Sequence, residues 1–283
     1  MKVLSEFYQL NSGFRIPKVG FGTYQIKGEV CFHAVKTALE VGYKHLDTAS
    51  LYGNEPEVGR ALLEVDRNSI FLTTKVGPSQ HGYETAYKTV QNSLRNLNTD
   101  YLDLVLIHWP GSFKCSASDQ TQVSLRHQTW RALEALQAEG KVRSIGVSNF
   151  LIHHLEKLLQ IASVTPSVNQ IENHPMCYEQ ELIDFCQNRG ILIESYSPLA
   201  RTDNQLWNHP FMNEVSQKYQ KTKSQILVRW GLQKKTVVLP KSQTPERILE
   251  NAQVDFELQE EDILKLENIA QKRTCWNPHS ILV

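Results

Sequence analysis

The chain has 283 residues, and its 30 basic and 30 acidic side chains cancel to a formal net charge of zero. That balance, in an ordinary composition of 41% hydrophobic and 21% charged residues, excludes the excess positive field used to hold nucleic acid or an anionic membrane. No stretch approaches the roughly 20 apolar residues of a membrane span, and the start from Met1 to Phe7 lacks the apolar core of a secretory signal. In chain order, Phe7–Leu10 and Phe14–Ile16 flank Asn11-Ser12-Gly13 and predict a β-hairpin. Strand-like and helix-like segments then alternate. Val19–Phe21 precedes a helix over Glu29–Val41. The run Tyr43–Leu46, ending at Asp47, precedes Glu55–Leu63, and Ile70–Lys75 precedes Glu84–Leu97. Leu102–Ile107 precedes Thr129–Ala138, Val142–Val147 precedes Ile152–Ile161, and Ser167–Ile171 precedes Glu179–Asn188. Ile191–Ser195 then precedes Ser224–Gln233, and Val237–Leu239 precedes Glu246–Asn251, with an extra helix near Glu260–Ala270.

Eight β-then-α units imply parallel strands joined by right-handed crossovers. A closed (β/α)₈ TIM barrel typically takes roughly 250 residues, which suits this length. The competitor, an open doubly wound sheet, wants Gly-x-Gly-x-x-Gly after its first strand, and Gly20-Phe21-Gly22-Thr23 lacks the third glycine. No linker, repeat or low-complexity tract divides the chain, so residues 1–283 read as one α/β barrel domain with an N-terminal hairpin and an extra C-terminal helix. Five scattered cysteines (Cys31, Cys115, Cys177, Cys186, Cys275) form no Cys-x-x-Cys pair and predict reduced thiols in a cytoplasmic protein. The histidines form no recognisable ligand cluster, so no metal is expected. The neutral balance and the lack of an apolar stripe on any outer helix predict a monomer.

Asp47, Lys75 and His108 each stand at the end of a predicted strand, and Tyr52 follows Asp47 by five residues. The carboxyl ends of barrel strands are where α/β proteins gather chemistry. Taken singly, Asp47 as a helix cap, Lys75 as a solvated lysine and His108 as a satisfied core histidine are adequate explanations. Together they make a proton-transfer set. A phenol near its reference pKa of about 10 gives up a proton reluctantly, and an adjacent ammonium stabilises the phenolate left behind. Lys75 supplies that charge, Asp47 holds Lys75, and His108 donates to a substrate oxygen or tunes the phenol.

Longer motifs accompany these residues: Asp47–Glu55, Tyr101–Pro110, Gly140–Phe150, Asn169–Pro175, Tyr196–Leu199, Leu239–Ser242 and Arg247–Asn251. With Gly20–Thr23 and Thr74-Lys75, they resemble the aldo-keto reductase family, in particular its short-tailed members, from about Phe7 to Pro278. The resemblance implies a (β/α)₈ barrel that reduces aldehydes and ketones with NADPH. Hydride would come from the nicotinamide C4, with Tyr52 as general acid and Asp47, Lys75 and His108 as its partners. It also implies cofactor contacts: Ser148, Asn149 and Gln170 at the carboxamide and Tyr196 stacked on the nicotinamide. Lys241, Ser242 and Arg247 would clamp the 2′-phosphate, with Asn251 near the adenine. Gly22, Thr23, Ser197, Leu199 and Glu250 complete that expected set. A lysine plus a fork-shaped guanidinium suits a phosphate dianion, which favours NADPH over NADH.

Tyr24, His108 and Trp109 are expected at the substrate, with Phe113 and Trp276 as further aromatics. Gly77 stands where many family members carry tryptophan and is expected to widen the pocket. The polar segment Gly111–Gln128 predicts a mobile rim, and the short tail after Arg273 predicts an open, permissive site. A barrel of this family that binds NADPH without catalysis, as a redox-sensing or structural protein, is the alternative reading.

Overall fold

A computed structural model describes residues 1–281; Leu282 and Val283, the end of the expected tail, lie outside the described residues. Its elements are β1 (Phe7–Gln9), β2 (Arg15–Pro17), β3 (Phe21–Gly22), α1 (Gly28–Val41), β4 (His45–Asp47), α2 (Glu55–Leu62), β5 (Phe71–Val76) and α3 (Tyr83–Asn96). They continue with β6 (Leu102–Ile107), α4 (Thr121–Ala138), β7 (Val142–Ser148), α5 (Ile152–Leu159), β8 (Val168–Glu172), α6 (Gln180–Gln187) and β9 (Leu192–Tyr196). The remainder are α7 (Asn204–Trp207), α8 (Pro210–Tyr219), α9 (Lys223–Gln233), β10 (Val237–Leu239), α10 (Pro245–Glu250) and α11 (Glu260–Glu267).

Strands β3 to β10 pair in sequence order, each parallel to the next. The last meets the first: Val19 bridges Val238, Gly20 N donates to Val238 O at 3.0 Å and Gly22 N to Pro240 O at 3.1 Å. The sheet therefore closes into a barrel. Every residue of β5 and β6 is buried, as expected of parallel strands covered by helices outside and packed side chains inside. The helices turn one stripe inward. On α3 the buried residues Ala86, Thr89, Val90, Ser93 and Leu94 recur at helical spacing against the sheet.

The hairpin β1–β2 pairs Phe7 with Pro17 and Gln9 with Arg15. Its Leu10 and Ile16 pack on Phe71, Val168 and Val237, the first residues of their strands, and on Leu104. This plugs the amino-terminal mouth of the barrel, leaving the carboxyl-terminal mouth for chemistry.

Three expectations need correction. Helix α4 starts at Thr121, so the second half of the expected rim is helical. Its polar Gln122 is buried and bonds Ser112 N, Ser112 O and Ser116 O, a tertiary use of polar residues that composition reads as loop. Helices α7 and α8 fill a stretch after β9 in which the sequence pattern predicts no element. Gly77 lies outside the cavity lining and so does not widen it, and Gln80 Oε1 lies 3.1 Å from where its Cβ would stand. That carbonyl oxygen also accepts from Gly77 N at 2.8 Å.

Candidate active site

Asp47 ends β4 and Lys75 is the penultimate residue of β5. The fully buried Lys75 Nζ donates to Asp47 Oδ1 at 2.6 Å, Oδ2 at 2.7 Å and Thr48 O at 2.9 Å. It also reaches Tyr52 Oη at 3.4 Å. The backbone carrying Asp47 is fixed from its other side, since Thr23 donates to Asp47 O through both its N–H (3.0 Å) and its hydroxyl (2.9 Å).

Tyr52 lies in a single 3-10 turn, Ser50–Tyr52, ended by Gly53 at φ +63°. Its ring stands between Tyr24, with centroids 5.0 Å apart, and His108, at 5.5 Å and 74°. Burial raises the phenol pKa well above the usual 10, and the Asp47 charge adds to that rise. The phenol is therefore a held proton at rest. Burial, followed by the Lys75 charge, drives the His108 pKa well below 6.5, so its imidazole is neutral. His108 Nδ1 is buried without a hydrogen-bond partner among the described residues. A proton there would be an unmade buried donor, so the N–H belongs on Nε2.

Asn149, just after β7, holds φ +64°, the left-handed region that asparagine tolerates better than most residues. Three bonds fix it: Nδ2 donates to His108 O (3.1 Å) and Ser148 Oγ (3.0 Å), and Oδ1 accepts from Tyr196 Oη (2.7 Å). Tyr196 ends β9 and presents its ring to the same space. Ser197, Ala200, Arg201 and Thr202 beyond it are all left-handed, at φ +48° to +56°. Such clustered strain is characteristic of ligand sites.

Beneath this set lies a polar layer in which Gln170 and Asp47 meet three residues absent from the sequence expectations, His45, Thr73 and Glu194. Gln170 Nε2 donates to Asp47 Oδ2 at 2.9 Å and to Glu194 Oε2 at 2.7 Å. His45 Nε2 lies 3.0 Å from Thr73 Oγ1 and 3.6 Å from Glu194 Oε1. Gly20 makes room for this imidazole, because a Cβ there would stand 2.6 Å from His45 Nδ1. An acid in the middle of a buried strand was the overlooked signal.

Above lies a cavity of about 390 Å³. Of the expected residues, Gly22, Tyr24, Asp47, Tyr52, His108, Ser148, Asn149, Gln170, Tyr196, Ser197, Leu199 and Lys241 line it. Lys75 sits below them. Thr23 is buried behind Asp47, and Ser242, Arg247, Glu250 and Asn251 sit on α10 and the turns flanking it, outside the lining. Trp109 lies outside the lining and packs on Trp276, with ring centroids 6.3 Å apart at 87°. Phe113 is exposed and outside the lining. Sequence reasoning missed Gln25, Arg201 and Thr202; Arg201 follows the end of β9, where barrel chemistry gathers.

Arg201, Lys241 and Arg247 make no ion pair among the described residues. Burial and then Arg201 lower the Lys241 pKa, as two cations with no counter-charge require. Just after α10, the buried Asn251 Oδ1 lacks a hydrogen-bond partner among the described residues. These groups fit an anionic, hydrogen-bonding ligand.

Glu172, ending β8, anchors the tail. Its Oε1 accepts from Thr274 N (2.6 Å), Thr274 Oγ1 (2.7 Å) and His174 Nε2 (3.0 Å), and Oε2 accepts from Cys275 N at 3.2 Å. Burial opposes its charge, but the bonds from His174 and Thr274 outweigh that and lower its pKa. Cys275 and Trp276 thereby become part of the cavity wall. Burial raises the Cys275 pKa, so it is a thiol and not a reactive thiolate.

Residues 18–271 match the model of the aldo/keto reductase family. The chain is 40% identical over 284 residues to glyoxal reductase of Bacillus subtilis, covering 99% of this chain and 98% of that one. It is 41% identical over 298 residues to glycerol 2-dehydrogenase (NADP(+)) of Hypocrea jecorina, covering 95% and 93%. The crystal structure of a Bombyx mori aldo-keto reductase in complex with NADP superposes with a TM-score of 0.87 at 30% identity, covering 95% of this chain and 94% of that one.

Proposed function

The chain belongs to the aldo/keto reductase family, and from that premise we propose that it reduces aldehydes and ketones to alcohols with NADPH. The observation that carries the reading is the Lys75 ammonium, 2.6 Å from Asp47 and 3.4 Å from the Tyr52 phenol, at the floor of an open cavity. NADPH, when bound, supplies a hydride from its nicotinamide C4 to the carbonyl carbon. The protein does the rest. Nε2–H of His108 donates to the carbonyl oxygen and fixes its place. Tyr52, protonated throughout the physiological range, donates its proton as charge develops on that oxygen. Lys75 then faces a phenolate across 3.4 Å and stabilises it, while Asp47 prevents the ammonium from moving away.

The cofactor preference rests on charge. Ser148, Asn149 and Gln170 would hold the carboxamide, and the Tyr196 ring would lie against the nicotinamide. Lys241, with Ser242 and Arg247, would take the 2′-phosphate, consistent with cations that have no carboxylate of their own. Asn251 would meet the adenine with its unpaired Oδ1. Gly22, Ser197 and Leu199 would contact the cofactor as lining, Thr23 would act through the Asp47 backbone it holds, and Glu250, which accepts from the Thr222 hydroxyl, would act from the end of α10. Tyr24 and Trp276, with Trp109 behind, would form the substrate wall.

The test is a mixture of protein, NADPH and 4-nitrobenzaldehyde, followed by loss of reduced-nicotinamide absorbance with and without chelator. Turnover indifferent to chelator supports the reading. Tight NADPH binding without turnover of any aldehyde or ketone would instead favour a non-catalytic binding protein.

A further inference from the structure

We propose that Glu194 is a positioning residue for the reduction, a neutral carboxylic acid beneath the catalytic ion pair whose proton keeps Gln170 and Asp47 in their working arrangement. The inference rests on the proposed reductase reading for its kinetic consequence, but its structural core stands separately.

Gln170 and Glu194 face each other in register on β8 and β9, so both side chains enter the barrel at one level. The Gln170 amide nitrogen has two hydrogens, and both are committed: one to Asp47 Oδ2 and one to Glu194 Oε2. Two carboxyl groups thus share one amide. The cation beside them serves only one, because Lys75 Nζ bonds both Asp47 oxygens, Thr48 O and Tyr52, and not Glu194. Two ionised carboxylates would leave an uncompensated negative charge in a fully buried layer, and carboxyl pairs avoid this by keeping one proton. Asp47 holds the ammonium and is the ionised member. The proton belongs to Glu194.

Glu194 Oε2 accepts from Gln170, so the proton sits on Oε1, which makes no hydrogen bond among the described residues and faces His45 Nε2 at 3.6 Å. The groups around the acid are His45 and Asp47 from β4, Thr73 and Lys75 from β5, and Gln170 from β8. Val237, Val238 and Leu239 of β10 bring no titratable group. His45 offers no counter-charge, since burial and then the Lys75 charge lower its pKa to about 3. Burial raises Glu194 to about 8, with Asp47 adding to the rise and Gln170 and Lys75 opposing it.

When hydroxide removes the Glu194 proton, water forms and a second negative charge appears under Asp47. Gln170 is then pulled toward the stronger acceptor. The same charge makes Tyr52 hold its proton more tightly, because an ionised Glu194 raises the phenol pKa further. Reduction therefore slows as Glu194 ionises.

The experiment compares wild type with Glu194→Gln, whose amide keeps the size and cannot ionise. Turnover at saturating NADPH and 4-nitrobenzaldehyde is followed from about pH 6 to about pH 10, with thermal unfolding over about pH 5 to 9. Wild-type kcat is expected to fall about tenfold across a midpoint near 8, and the variant to lose that midpoint. The folded pKa lies above the ordinary 4.5, so the proton stabilises the fold at low pH and that stabilisation is lost as pH rises toward 8. Wild-type Tm should accordingly drop relative to the variant over that interval.

Coincident pH profiles and coincident Tm differences overturn the proposal. A wild type that binds NADPH but turns over no carbonyl compound defeats the reductase reading instead, and the Tm comparison still decides whether Glu194 carries the proton. If Glu194→Gln does not fold, infrared titration of the wild type replaces it. Loss of a protonated-carboxyl band near pH 8 supports the assignment, and no such band at about pH 6.5 refutes it.

Discussion

Lys75 Nζ lies 3.4 Å from Tyr52 Oη, close enough to stabilise a phenolate there, while burial and the Asp47 charge keep the resting phenol protonated. Tyr52→Phe removes the proton and leaves the ring. NADPH affinity should stay within about threefold, while kcat should fall by about 10²–10⁴, the usual worth of a general acid. Stopped-flow turnover with a fluorescence titration of NADPH checks both, and an unchanged kcat would release Tyr52 from its role.

The buried Asp47–Lys75 pair makes a different demand on the single variants. Lys75→Met strands a carboxylate and Asp47→Asn strands an ammonium, each expected to cost about 3–5 kcal/mol. The double variant removes both charges and should be more stable than either single one. Urea unfolding of the four proteins measures the coupling. Simple additivity would mean that the pair is screened by water.

Lys241 has no carboxylate partner among the described residues, so its charge is available to a ligand. Lys241→Met should weaken NADPH by at least about tenfold, or about 1.4 kcal/mol, and leave NADH within about twofold. Equal losses for the two cofactors would remove the 2′-phosphate from the assignment.

Both nitrogens of the fully buried His81 lack hydrogen-bond partners among the described residues. Burial, then the Arg126 and Lys114 charges, lower its pKa to about 3 from the ordinary 6.5. The unfolded chain therefore takes up a proton that the folded protein refuses. Its stabilisation is present above 6.5 and is lost as pH falls toward 3. His81→Leu should make the acid limb of stability shallower by up to about 1.4 kcal/mol per pH unit, one proton's worth. Unfolding at about pH 7, 5 and 4 should reveal it, and parallel limbs for the two proteins would refute it.

The barrel was legible because its strands are dense apolar runs and its helices carry a 3.6-residue stripe. Ile70–Lys75 and Leu102–Ile107 were placed to within a residue for that reason. Asp47, Lys75 and His108 were legible as polar residues at strand ends. What escaped was polarity used inward. Glu194 and His45 sit in strands read as apolar runs, and only three-dimensional closure brings them to one level of the barrel. Gln122 and Arg126 escape for the converse reason, since their polarity predicts a mobile rim and both are buried on α4. Gly77 misled because a linear motif does not show that its position lies outside the cavity lining, beside Gln80.

Glu172 grips the tail chiefly by main-chain amides, at Thr274 and Cys275, so the attachment is blind to the side chains carried beyond it. Position 276 can be rewritten while the knot at its root stays tied. Under the proposed function, selectivity would be a detachable cuff on a fixed machine: exchanging one aromatic for another would reshape which guests are admitted and leave the proposed proton donor at the floor untouched.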